Sequence, residues 1–203
     1  MKCEVCGRDT THIIDDMCID CYISKNAPTK VTNIPWISYS PYLGPYRKQQ
    51  GTEHFDEELA SKIIDRDYQL EDDRSAIRIG ELRFPLSVEA LDDLALRTGI
   101  LVGKWLVYRD ENEIDYVWGS IFKALIGKEL GISAKVSTAF QKKKRYVVCV
   151  YSENYLDLGD VRRIRGRLGE IGFTETLCYK PDIYTYLNIY SGTTRLSPCR
   201  YRE

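Results

Sequence analysis

The 203-residue chain has few histidines, almost no net charge and no long apolar run. Nothing in it approaches the ~18 continuous apolar residues of a membrane span. The opening residues Met1, Lys2 and Cys3 begin no stretch that reads as a signal peptide. A soluble, cytoplasmic protein without membrane attachment is therefore the expectation. The 29 Lys+Arg against 30 Asp+Glu give a net charge of -1, which excludes a uniformly basic nucleic-acid coat protein. At 43% hydrophobic and 29% charged residues the composition is that of a globular chain, not a disordered or fibrous one.

The balance is uneven along the chain. Residues 135–203 hold 13 Lys+Arg and 7 Asp+Glu, whereas residues 1–134 hold 16 and 23. A basic C-terminal third thus follows an acidic front.

Cysteine is present in odd number, seven. Without a visible secretory signal this count points to reduced thiols and metal binding. Cys3, Cys6, Cys18 and Cys21 read as two Cys-x2-Cys pairs. Each pair forms a tight knuckle that aims two thiolates at one point, and two facing knuckles complete a tetrahedral four-sulfur site. Gly7 supplies the positive φ that a knuckle needs, and Arg8 to Met17 leaves room for a short hairpin around His12–Ile14. Such a set closes every metal position, so the expectation is structural Zn(II), with iron allowed by the same spacing. About 25 residues with almost no core need that metal in order to fold. The ribbon carries Lys2, Arg8 and Lys25 against Glu4, Asp9, Asp15, Asp16 and Asp20, which argues against its own contact with phosphates.

Prolines 28, 35, 41 and 45 and glycines 44 and 51 punctuate the next stretch, whose aromatic residues include Trp36, Tyr39, Tyr42 and Tyr46. Proline at this density excludes a regular helix or a central strand. The segment reads as an extended tether, or as a stacking surface. A helix over 55–67 follows, within an acidic run read as a solvated face. The expected division is a ribbon at 1–25, the tether and acidic helix at 26–80, and a main domain at 81–203.

In the main domain Ser87 reads as the N-cap of a short helix ending near Gly99. Strands are expected over 100–108, 132–138, 145–152, 173–180 and 184–190, with helices over 113–127 and after a cap at Asp160. The fold class is α+β, a mainly antiparallel curved sheet with helices on one face.

Several segments carry a resemblance: Gly103-Lys104-Trp105-Leu106-Val107-Tyr108, Trp118, Gly131 to Thr138, Val148 to Tyr151, and Tyr179 to Thr185. Together they resemble the family of the basophilic-leukaemia-expressed protein, over roughly residues 100–190. That family is similar in fold to the cap-binding translation initiation factor 4E, and some relatives carry the label of a phosphothreonine lyase domain. The resemblance implies a place in translation, with the ribosome as one candidate partner, or a lyase acting on a phosphorylated substrate.

Three functional readings stay open. In the first the protein binds RNA or a nucleotide phosphate. Lys104, Lys135, Arg162, Arg163, Arg167 and Lys180 would hold phosphates, and Trp105, Tyr184 and Tyr186 would stack bases. The cluster Lys142 to Arg145 adds charge at a turn. In the second an enzyme uses Lys135 as its base, although His12 and His54, the only histidines, fall outside the resembling region. In the third the chain is a protein–protein adaptor.

Overall fold

The computed structural model describes residues 1–41 and 55–203. The tether residues Tyr42, Gly44, Pro45, Tyr46 and Gly51, and His54, lie outside the described residues. In chain order, β1 (Ile13–Ile14), β2 (Met17–Cys18) and α1 (Ile19–Lys25) precede β3 (Trp36–Tyr39) and α2 (Glu57–Ile64). Next come β4 (Gln69–Leu70), β5 (Ala76–Ile79), β6 (Leu82–Pro85) and α3 (Val88–Thr98). Then follow β7 (Gly103–Arg109), α4 (Glu111–Ile126), β8 (Ser133–Ser137), a 3-10 turn (Ala139–Gln141) and β9 (Tyr146–Ser152). The chain ends with α5 (Leu158–Glu170), β10 (Cys178–Pro181), α6 (Asp182–Tyr186) and β11 (Tyr201–Arg202). A six-stranded sheet has the order β11-β10-β7-β9-β8-β3, beside a three-stranded sheet β4-β5-β6 and the hairpin β1-β2. The fold is α+β, with antiparallel pairing at β3–β8, β10–β11 and β4–β5–β6. No helix among the described residues is long and apolar enough to cross a membrane.

By compactness the chain divides into two units, one of residues 1–43, 106–150 and 166–174, the other of 44–105, 151–165 and 175–203. In the first, α4 starts at Asp110, whose carboxylate accepts from the Asn112 N–H at 2.9 Å. Its stripe of Ile114, Val117, Trp118, Ile121, Phe122 and Leu125 is buried, as helical spacing requires. β3 occupies the edge of its sheet, the one strand position that flanking prolines permit.

In the second unit, Ser87 caps α3 by accepting from the Ala90 N–H at 3.2 Å, and Gly99 ends it at φ 64°. Asp56 caps α2 in the same way, through the Leu59 N–H at 2.9 Å. Gly103 is required by packing: a Cβ there would lie 2.3 Å from the Tyr179 hydroxyl oxygen, which hydrogen-bonds Ser152 Oγ.

Several expectations give way. Residues 184–190 form no strand, because Pro181 at φ -62° and Asp182 in the first turn start α6 instead. The expected strand at 173–180 shortens to β10, since the Phe173 N–H returns to the Leu168 carbonyl at 2.9 Å to close the end of α5. Asp160 is not the cap of α5. The Asp157 carboxylate accepts from the N–H groups of Gly159 and Asp160, and Asp160 sits in the first turn. The thiols are not all reduced, because Cys178 and Cys199 are joined as a disulfide that staples the segment before β11 to β10.

Gly103→Ala is expected to cost about 3 kcal/mol of unfolding free energy, the upper part of the range for overpacking. Denaturant titration measures it, and a change within ~0.5 kcal/mol would contradict the packing described at Tyr179.

Candidate functional site

The four-cysteine centre is assembled by local backbone geometry. Gly7, at φ 73°, closes the first knuckle, with its N–H donating to the Cys3 carbonyl at 2.9 Å. Asp15 and Asp16, both at positive φ, turn the β1–β2 hairpin, as a tight two-residue loop demands. That hairpin delivers Cys18, and α1 delivers Cys21 one turn later. All four sulfur atoms lie within 4.8 Å of one another. Cys6 Sγ and Cys18 Sγ are 3.7 Å apart, against about 3.8 Å for the edge of a tetrahedron with 2.3 Å metal–sulfur bonds.

The acidities of these thiols differ with their surroundings. Backbone N–H groups, those of Cys18 and Cys6 foremost, pull Cys3 down to about 6. Arg8, through its backbone and its guanidinium, lowers Cys6. Cys21 is pushed up to about 12 by the neighbouring Cys18 and Cys6. Four thiolates this close repel, so the set holds together fully ionised only around a positive ion. The residues present fit a metal ion, with no ligand position left over for substrate.

The ribbon docks on α4. Ile23 packs at Gly119, where an added Cβ would meet it at 3.2 Å. Tyr22 stacks on Phe122 with ring centroids 5.4 Å apart. Asp20 accepts from Lys123 at 2.8 Å and pairs with Arg8 at 3.8 Å, contacts that, with Lys123 foremost, lower its pKa.

The expected phosphate ligands are scattered by the fold. Lys104 is buried and donates to Asp182 and, at 3.1 Å, to Thr185 Oγ1. Lys180 is buried with its ammonium 3.4 Å from the centroid of the Tyr190 ring. As placed, neither amine faces an incoming phosphate. Trp105 and Tyr184 are core residues and not stacking surfaces. The Trp105 indole N–H donates to the Val161 carbonyl at 3.0 Å and its ring meets Tyr179 edge-on. Tyr184 is on the buried side of α6, where burial raises its pKa to about 12. Tyr186 is half-buried and its carbonyl accepts from the Tyr68 hydroxyl at 3.0 Å. The α5 arginines are exposed but paired: Arg162 with Glu203 at 3.2 Å, Arg163 with Asp160 at 2.7 Å, and Arg167 with Glu170 and Glu129.

A different basic edge does come together, at β3, β8 and the loop after it. Register pairs Ser38 with Lys135 and Trp36 with Ser137, and the Lys135 ammonium lies 4.6 Å from the centroid of the Trp36 ring. A ring face attracts the charged ammonium, whereas a general base needs the neutral amine. His12, the one histidine among the described residues, bonds Thr11 in the ribbon at 2.9 Å. Beyond β8, Lys142, Lys143, Lys144 and Arg145 are exposed, and Arg145 lies over Tyr108, 5.5 Å from its centroid. Among the described residues no carboxylate pairs with Lys142, Lys143 or Lys144. Phe140 and Tyr108 beside this edge are 49% and 43% exposed. Sequence reasoning passed over both, since a lone Phe before a lysine run gives no periodic signal of which way it faces.

The family model described as Basophilic leukemia-expressed protein Bles03 matches residues 30–188. That span takes in the Pro-rich tether as well as the main domain. Among solved structures the chain is similar to Ascaris suum eIF4E-3 in complex with the m2,2,7G cap. The identity is 18% over 59% of this chain and 66% of that one, with a TM-score of 0.39. It is also similar to C. elegans eIF4E-3 with the 4E-binding protein Mextli and a cap analog, at 19% identity, 56% and 65% coverage and a TM-score of 0.38. For Schistosome eIF4E complexed with m7GpppG and 4E-BP the values are 16%, 50% and 58%, and 0.36. The chain spans less than two thirds of each of these structures.

Metal binding at the ribbon is expected to release protons from the thiols that still carry them, Cys21 among them, so apparent affinity rises with pH between about 6 and 8. Competition with a chelator at several pH values measures this, and an affinity independent of pH would contradict the thiol assignments.

Proposed function

The chain belongs to the Bles03 family, and we propose that it is a zinc-stapled protein that binds RNA or nucleotide phosphates through the edge formed by Lys135 and Lys142 to Arg145. The observation that carries this reading is the contrast between two sets of cations. Arg162, Arg163 and Arg167 of α5 already face carboxylates, whereas Lys142, Lys143 and Lys144 stand side by side with no ion pair among the described residues. Adjacent like charges repel, and an anion laid across them relieves that repulsion. Phosphate oxygens suit both the lysine point charges and the Arg145 fork.

The loop that carries them is held in place. The Ala139 N–H donates to the Pro28 carbonyl at 3.0 Å, the Thr138 N–H to the Pro35 carbonyl at 3.2 Å, and Gln141 Nε2 to the same Pro35 carbonyl at 2.8 Å. Such anchoring reduces the ordering entropy that a ligand must overcome. Zinc in this account is structural: Cys3, Cys6, Cys18 and Cys21 would hold it and it would supply folding free energy to the ribbon. Zn(II) suits a closed four-sulfur site because it takes tetrahedral thiolate coordination.

The triple variant K142A/K143A/K144A is expected to weaken binding to a short RNA. It should also flatten the plot of log K against log salt by about 2, since each phosphate contact to a single strand contributes about 0.7 to that slope. The triple variant R162A/R163A/R167A should leave the slope closer to that of the parent. Equal affinity and equal slope for the parent and the lysine variant would sink the proposal.

A further inference from the structure

Phe140 is the residue that the phosphate reading leaves unexplained. It sits in the 3-10 turn Ala139–Gln141 with about half its surface in water. The turn on which it rides is bonded on both sides. Ala139 and Gln141 are tied to Pro28 and Pro35, and the Lys142 N–H returns to the Ala139 carbonyl at 3.0 Å. Lys142 then takes φ 51°, a left-handed turn that redirects the chain immediately after the ring. The consequence is a fixed, exposed aromatic side chain followed, after Gln141, by four consecutive cations.

The chemistry around the ring narrows its partner. The buried cores of protein–protein interfaces are depleted in lysine, so a ring set against a lysine run is a poor anchor for another protein. A nucleic-acid duplex offers phosphates but keeps its base faces stacked, leaving the ring nothing to cover. An unpaired base meets both halves of the surface, with its face on the ring and its phosphates on the ammonium groups. Trp36 and Tyr108 already have Lys135 and Arg145 over their rings, whereas Phe140 makes no aromatic or cation–π contact among the described residues.

Resting on the phosphate-binding reading above, we propose that the segment Ala139–Arg145 selects single-stranded nucleic acid, with Phe140 stacking on an unpaired base and Lys142 to Lys144 holding the adjoining phosphates. The test uses the full chain and fluorescence anisotropy with labelled oligonucleotides: a single-stranded RNA, the matching single-stranded DNA, and a duplex. Phe140→Ala is expected to bind the single strands about tenfold more weakly, within the range known for loss of one base–aromatic stack. Its duplex binding and its salt slope should match those of the parent. Phe140→Trp should restore the affinity and Phe140→Leu should not. The more tightly bound of the two single strands names the ligand. The proposal is overturned if Phe140→Ala binds single strands as the parent does, if single-strand and duplex binding fall together, or if Leu rescues as well as Trp. A lysine-dependent parent with an indifferent Phe140→Ala defeats this inference alone. A parent that binds no nucleic acid defeats the phosphate reading as well.

Discussion

Four sulfur atoms held within 4.8 Å of one another cannot all carry charge unless a cation sits among them. Much of the first unit is built outward from that constraint. A cation held there would fix the hairpin and the start of α1. Helix α1 then lays Tyr22 and Ile23 on α4, and the chain leaves it through Ala27 and Pro28. Thr29 bonds Asp115 of α4 at 3.0 Å, and the Pro28 carbonyl receives the Ala139 N–H. The ribbon is thus the first member of a series of contacts that ends at the basic loop, and its own acidic surface need not meet the ligand.

The second unit resolves its charges internally. Lys104 finds Asp182, Arg200 finds Asp92 at 2.8 Å, and the Tyr155 hydroxyl donates to the same carboxylate at 2.8 Å. Burial together with Asp92 drives the Tyr155 pKa strongly upward, so that hydroxyl keeps its proton throughout the physiological range. Buried charges are tolerated only when matched in this way, and matched charges are of little use to a diffusing ligand. The C-terminal third is basic in composition, yet Arg162, Arg163, Arg167 and Arg200 already face carboxylates. The contiguous cations without an ion pair among the described residues, Lys142 to Lys144, belong to the first unit.

The most legible features in the sequence were those whose physics is local. The Cys-x2-Cys pairs, the positive φ of Gly7, the Ser87 cap and the Gly99 stop depend on neighbours a few residues away, and each stands where its spacing placed it. The illegible features depend on distant partners. Alternation along 103–108 puts Lys104 and Trp105 on opposite faces, but both faces of β7 are covered, and the carboxylate that allows Lys104 to be buried lies 78 residues away. The pairing of the α5 arginines, the helix at 182–186 and the Cys178–Cys199 disulfide arise in the same way from tertiary contact. The stacking candidates were therefore drawn from buried rings, while the exposed Phe140 carried no pattern to mark it.

The central claim is that nucleic acid is held at residues 135–145 of a metal-stapled unit. Amide hydrogen exchange of the zinc-loaded chain, with and without a short single-stranded RNA, addresses it most directly. Added protection confined to residues 135–145 and the adjoining β3 is the result predicted. Protection centred on α5, or none anywhere at saturating RNA, would contradict the account.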